Sequence, residues 1–150
     1  MTEFSIINKY NRYQIFYGKQ LLYTAIRQGF FNDTVIFYDI KNREFAVSKH
    51  KKYFILDFGH VVTFSDNKTV HKIKRKKLST IFYFNNDCYE IKYGLLNRNP
   101  NLYFNGKICG NYELVYSSLG EFECKIICDG KDLCQTFSIF EIILDWFHVD

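Results

Sequence analysis

Two groups of basic residues carry the densest chemistry in this chain. Lys49, Lys51 and Lys52 form one; Lys72, Lys74, Arg75, Lys76 and Lys77 form the other, just after His71. On an extended strand Lys72, Lys74 and Lys76 share one face, and Ile73, Arg75 and Lys77 the other. Such a cluster can hold phosphate headgroups, with each basic residue near an anionic surface contributing about 1 kcal/mol. It can also meet an acidic protein or a nucleic-acid backbone. The bland alternative is a solvated strand end whose charges discourage edge pairing.

Other combinations of residues have less to offer. Glu141 and Asp145 stand four apart, so on a helix their carboxylates share a face. Paired acids do general acid–base work when burial raises one pKa, but no nucleophile or cofactor motif accompanies them, and a structural polar line is the preferred reading. Cys124, Cys128 and Cys134 give a C-x3-C-x5-C spacing that is poor for zinc. They read better as small buried hydrophobes. His50, His60 and His71 are spread without a common motif, and His148 stands apart near the end. Tyr10, Tyr13, Tyr17 and Tyr23 lie close in sequence, and Tyr10-Asn-Arg12-Tyr is a candidate contact patch. The alternative is that each ring packs on a sheet and leaves its hydroxyl wet.

The elements that must position these residues are mostly strands. The 150 residues include 16 Phe and 12 Tyr but one Pro and 8 Gly, which favours pleated, half-buried surfaces over linkers. No composition shift marks a second domain, so 1–150 is read as a single unit. Strand-like runs fall at 4–8, 13–17, 21–27, 35–39, 44–48, 53–57, 61–65, 70–74, 80–84, 89–93, 102–104, 107–114 and 122–128. The break between 44–48 and 53–57 is placed at His50. Asn105-Gly106 is the strongest hairpin signal, because both central positions of a type I′ turn need positive φ.

Residues 133–147, LCQTFSIFEIILDWF, form the one helical pattern. Phe137, Phe140, Leu144 and Phe147 make a stripe, and Ile139, Ile142, Ile143 and Trp146 fill the remaining faces. Only Ser138, Glu141, Asp145 and His148 interrupt, along one narrow line. A helix apolar on almost every side must be buried, and this one is too short to span a bilayer. Asp132 and Gln135 have the spacing of an N-cap and N3, so the helix is expected to begin near Leu133. At about 15 residues it would be roughly 22 Å long, the height of a small barrel. The expected architecture is mainly β: a closed antiparallel barrel of about twelve strands around a C-terminal hydrophobic helix.

Three segments resemble the tubby C-terminal-like superfamily, and within it the LURP-one-related and phospholipid-scramblase-like branch. Residues 62–77, VTFSDNKTVHKIKRKK, are similar to that branch's strand, Asp-containing turn, strand and basic end. Residues 88–96, CYEIKYGLL, followed by 102–114, LYFNGKICGNYEL, form the second match. The third is 122–147, FECKIICDGKDLCQTFSIFEIILDWF, a strand and then the terminal apolar helix. The resemblance implies a twelve-stranded barrel threaded by that helix, with no established enzyme activity. It also implies a link to membranes, since tubby proteins bind phosphoinositides and scramblase relatives act at membranes. It carries over no lipid-contacting residue.

Composition and motifs narrow the function further. The net charge of +4 is mild for a dedicated nucleic-acid binder, and no specific nucleic-acid partner is expected. There is no P-loop, dinucleotide fingerprint, nucleophile elbow or zinc-protease helix, so the chain is read as a non-enzyme without cofactor or metal. The N-terminus has no apolar leader and no run is long enough to cross a membrane. Five cysteines, an odd number, suit a reduced, cytoplasmic chain, with a peripheral membrane position as a variant. The leading expectation is a module that binds anionic phospholipid headgroups through Lys49, Lys51, Lys52, Lys72, Lys74, Arg75, Lys76 and Lys77. The alternative is an immunity-type protein that occludes a toxin or effector. An apolar ligand inside the barrel ranks last, because the helix already fills that space.

Overall fold

The computed structural model describes residues 1–29, 34–53, 56–64, 70–76, 79–93 and 99–144, with the backbone alone described at 50–53, 56–61 and 70–76. Among them twelve strands precede one helix. They are β1 (Thr2–Lys9), β2 (Arg12–Tyr17), β3 (Gln20–Gln28), β4 (Thr34–Asp39), β5 (Glu44–Tyr53) and β6 (Leu56–Phe64). Then come β7 (Val70–Lys76), β8 (Ser79–Phe84), β9 (Asp87–Lys92), β10 (Asn101–Phe104), β11 (Lys107–Ser118) and β12 (Glu121–Cys128), and the helix α1 (Lys131–Leu144). The protein is thus mainly β, one antiparallel sheet with a C-terminal helix. Each strand pairs with its sequence neighbours, and β1 pairs with β12 from Thr2↔Cys128 to Lys9↔Glu121.

Alternation decides which side chains meet the helix. In β1, Phe4, Ile6 and Asn8 are buried between half-exposed neighbours; in β12, Phe122, Cys124, Ile126 and Cys128 are. This period of two lines the inner face of the sheet with apolar groups. Against it lie Phe137, Ile139, Phe140, Ile142 and Ile143 of α1, each no more than 5% exposed. The Phe82 and Phe140 rings stack at 4.0 Å, and Tyr89 meets both Phe137 and Phe140 edge-on at 5.4 Å. Offset and edge-on ring pairs add to the stabilisation that burial alone gives. Trp146 and Phe147 lie outside the described residues.

Turn chemistry is more uniform than the sequence suggests. Asn105-Gly106 has φ of 48° and 82°, the expected hairpin. Tyr10-Asn11 and Asn85-Asn86 adopt positive φ at both positions too, without a glycine. Asn tolerates that region because its short polar side chain bonds locally. The β4–β5 turn is held by the Asp39 carboxylate, which accepts the Lys41 and Arg43 N–H groups, both at 2.9 Å.

Two boundaries differ from expectation. The break at His50 and the separate strand at 53–57 do not exist. β5 runs unbroken from Glu44 to Tyr53 and slips register between His50 and Lys52, and Leu56, the first residue of β6, is the register partner of Tyr53. No glycine or proline interrupts this stretch, and a bulge absorbs the irregularity without ending the ladder. Lys52 and Asp57 are register partners. The helix starts at Lys131, two residues before the expected Leu133. The Cys134 N–H bonds the Gly130 carbonyl at 3.1 Å, so Gly130, with φ of 137°, is the cap. Asp132 lies in the first turn, where its charge favours the helix dipole.

Replacing Phe140 by Ala should cost about 3–5 kcal/mol, since it deletes a ring packed on Phe82 and Tyr89 and leaves a hole. Urea unfolding midpoints at constant slope check this. A loss below about 1 kcal/mol would mean that the ring does not sit in the core.

Candidate functional site

The two basic groups meet through strand register. Lys49 of β5 faces Val61 of β6, and Val61 faces Lys72 of β7. Adjacent strands lie about 4.8 Å apart, so the Lys49 and Lys72 backbones are roughly 10 Å apart on one row. Beyond that row, Lys51 and Lys52 continue β5 to its end, and Lys74, Arg75 and Lys76 continue β7 to its own. Both strands run the same way, so both groups sit at one end of the sheet. Lys49 is exposed. Lys77 lies outside the described residues. Register also pairs His50 with His60, which no spacing in the sequence announces.

The direction of α1 tells which end this is. Cys134, in its first turn, lies 3.1 Å from the Thr2 carbonyl at the start of β1. Its last turn is met by Arg27, near the end of β3, whose guanidinium donates to the Ile142 carbonyl and, at 3.1 Å, to that of Ile143. β3, β5 and β7 run parallel to one another within the alternating order. The basic strand ends therefore share an end of the molecule with the helix C-terminus, where the backbone dipole is negative and attracts cations.

The same end carries exposed apolar groups. The Tyr10 N–H bonds the Gly120 carbonyl at 2.7 Å, so the β1–β2 and β11–β12 turns abut. Tyr10 is 71% exposed, Leu119 77% and Tyr116 50%. Of the four N-terminal tyrosines, Tyr10 and Tyr17 face outward as a contact patch requires. Tyr13 and Tyr23 do not, and their hydroxyls are not wet.

Those two hydroxyls belong to an internal polar set that the sequence did not reveal. Arg27 Nε donates to the Tyr13 hydroxyl at 3.2 Å. The Ser138 hydroxyl donates to the Gln135 carbonyl at 2.6 Å, and so accepts from Tyr23. Tyr112 donates to the Phe137 carbonyl at 2.7 Å. Burial pushes the Tyr23 hydroxyl far above its ordinary pKa. It does the same to Tyr112, with the charge of Glu141 adding to the effect. Two strands, β3 and β11, thus hold the helix by directed bonds as well as by packing. Glu141 is fully buried beside Tyr112, which fits the structural polar line; Asp145 lies outside the described residues. Asn8 is also fully buried, and among the described residues neither of its amide atoms has a hydrogen-bond partner.

The cysteines regroup in space. The contact set is three free thiols, Cys109, Cys128 and Cys134, with Cys128 within thiol hydrogen-bonding reach of both others. Cys124 is buried on the same strand face, and Cys109 enters from β11. Among the described residues no group of three or more His, Cys, Asp or Glu could hold a metal ion. A cavity of about 290 Å³ opens where β6 and β8 meet the first turns of α1, between Phe64, Phe84, Ile139 and Phe140 on one side and Asp132 and Gln135 on the other. It lies at the end away from the basic strands. Among the described residues no helix is long and apolar enough to cross a membrane.

Comparison with known proteins gives the fold alone. No protein-family model matches the chain. No curated protein matches it either. A solved structure of a protein from Arabidopsis thaliana is similar over 96% of this chain and 90% of its own, with a TM-score of 0.65 and 16% sequence identity.

Substitutions at two positions test these buried polar groups. Arg27→Ala should lower stability by about 1.5–3 kcal/mol, because the last helix carbonyls lose a charged donor, and Arg27→Lys should recover part of it. Asn8→Leu should leave stability unchanged or raise it, since a buried amide without partners is exchanged for an apolar side chain of similar size. Denaturant midpoints of the three variants decide both.

Proposed function

We propose that this chain is a non-catalytic binding module that presents its basic strand ends to an anionic surface, most directly the headgroups of acidic phospholipids. In this reading the sheet is a closed barrel plugged by α1, of the tubby-like kind and nearest the LURP-one-related and scramblase-like branch. The fold similarity to the Arabidopsis protein supports the fold part of that reading. The observation that carries the functional part is the Lys49–Val61–Lys72 row, which brings two basic groups distant in sequence to one end.

One further feature supports it. Tyr10 and Leu119 stand exposed on turns at that same end. Tyrosine and leucine side chains enter the headgroup boundary while basic residues hold the anionic lipid. Lys49 and Lys72 stand roughly 10 Å apart along the row, close enough to act on neighbouring headgroups together. The protein would rest on a membrane face without crossing it.

The second reading, an immunity-type protein that covers a toxin or effector, draws on the same exposed Tyr10, Tyr116 and Leu119, since aromatic anchors dominate protein interfaces. A blocker with a basic face pairs best with an acidic surface.

Vesicle co-sedimentation separates these readings. Anionic phosphatidylserine vesicles should pellet the protein, and binding should weaken as salt rises. Reversing Lys72, Lys74, Arg75 and Lys76 to Glu should weaken binding at least about 100-fold, given about 1 kcal/mol per basic residue. Equal pelleting with neutral phosphatidylcholine would end the headgroup reading and leave the protein partner.

A further inference from the structure

β11 breaks its ladder with β10 beside Leu102. Leu102 faces Gly110, while Tyr103 faces Ile108, so Cys109 is the extra residue of a bulge. A bulge frees its extra residue from the ladder and re-aims the side chain. Cys109 is accordingly buried next to a buried Gly110, where alternation would send one of them outward. Its thiol reaches the Leu102 carbonyl at 3.5 Å.

On its other edge β11 presses on β12. Gly110 pairs with Cys128, and a Cβ on Gly110 would lie 1.9 Å from the Ile127 carbonyl oxygen and 2.9 Å from the Cys128 Cα. Only glycine permits that approach. It sets Cys109 and Cys128 on adjacent strands, one position off register, within the Cα separation that a disulfide spans. Cys134 stands on the other side of Cys128, held 3.1 Å from the Thr2 carbonyl and 3.7 Å from that of Ile126. The two flanking thiols differ in access. Cys109 forms part of the wall of an open cavity of about 400 Å³ beside Met1, Asn101 and Asp129. Cys134 is fully buried and does not line it.

We propose that Cys109 and Cys128 are an oxidation site, at which hydrogen peroxide entering this cavity converts the two thiols to a disulfide. The Cys109 thiolate attacks one peroxide oxygen, the O–O bond breaks, and the departing hydroxide takes up a proton to leave as water. The product is a sulfenic acid on Cys109. The Cys128 sulfur then attacks that sulfur. The S–O bond breaks, and the hydroxyl leaves as a second water with the Cys128 proton. Two thiols lose two electrons and two hydrogens, and one peroxide becomes two waters.

The order of the steps follows from access to the cavity together with the hydrogen bonds. The bond from Cys128 pulls the Cys109 thiol below its ordinary pKa, against the effect of burial. Cys128, which donates that bond and is itself buried, is held well above its own. A bond from Cys128 lowers Cys134 as well, so access decides between them: Cys109 belongs to the cavity wall and Cys134 does not, which makes Cys109 the attacking sulfur and Cys128 the resolving partner. The resulting bond ties β11 to β12 next to the turn that launches α1. It does not depend on the lipid-binding reading.

Peptide mapping of the whole protein tests the proposal. The protein is treated with a few equivalents of hydrogen peroxide, remaining thiols are alkylated, and trypsin is added without reductant. Cleavage after Lys107, Lys125 and Lys131 puts Cys109 and Cys124 in residues 108–125, Cys128 in 126–131 and Cys134 in 132–150. The expected product links 108–125 to 126–131, with fragmentation assigning the bond to Cys109, an intact mass lower by about 2 Da and reversal by dithiothreitol. Cys88→Ser should form the same link, and Cys109→Ser should not. A bond from Cys128 to Cys134, a bond through Cys124, oxidation confined to Cys88, or unchanged thiols would each overturn the assignment. The wild-type map alone decides, so the proposal survives a Cys109→Ser variant that folds poorly.

Discussion

A helix that is buried on every side from Phe137 to Ile143 governs this structure. Phe137, Ile139, Phe140, Ile142 and Ile143 are spread around the axis of α1, and all are buried. One flat sheet can cover one side of a helix, so strands must come from several directions. The antiparallel order, in which β1 is neighbour to both β2 and β12, provides them. The inward period of two along the strands and the roughly uniform hydrophobicity of the helix are two statements of the same demand. Neither element has another surface on which to bury its apolar side.

Packing alone would leave the helix free to slide or turn, because apolar contacts carry little direction. The polar contacts supply it. Tyr112 bonds a carbonyl in the middle of α1, Tyr23 meets Ser138, and Arg27 closes the last turn. Arg27 takes the role that a lysine or histidine near the C-terminus plays in other helices, but reaches it from a strand distant in sequence. Hydrogen bonds in this dry interior are strengthened by low dielectric, and the same condition makes the unbonded Asn8 costly.

Much of the architecture was legible because its signals are local. The apolar helix, the strand-like run at 4–8, and the Asn105-Gly106 turn each show within a short window. The His50 break failed for the opposite reason: a charged stretch looks like a loop until pairing with β6 is known. Sites were harder. That Lys49 and Lys72 share a row depends on two registers, and the Cys109–Cys128–Cys134 contact depends on a bulge, a glycine and a helix start. The sequence offered Cys124 instead of Cys109, since spacing along one strand is visible and approach between strands is not. Arg27 gave no signal, because a lone arginine at a strand end looks like any solvated charge.

The pairing of β1 with β12 also sets the tempo of folding. Thr2 and Cys128 are register partners, so the last ladder joins segments separated by most of the chain. Bringing them together costs loop-closure entropy before any contact repays it. Hairpins such as β1–β2 can form early and alone, but their inner faces stay wet until α1 arrives. Chains dominated by such distant contacts acquire their native state in milliseconds to seconds, far slower than helical bundles of equal size. During that interval the open strand edges are exposed to neighbouring chains, and crowded synthesis would favour aggregation over closure.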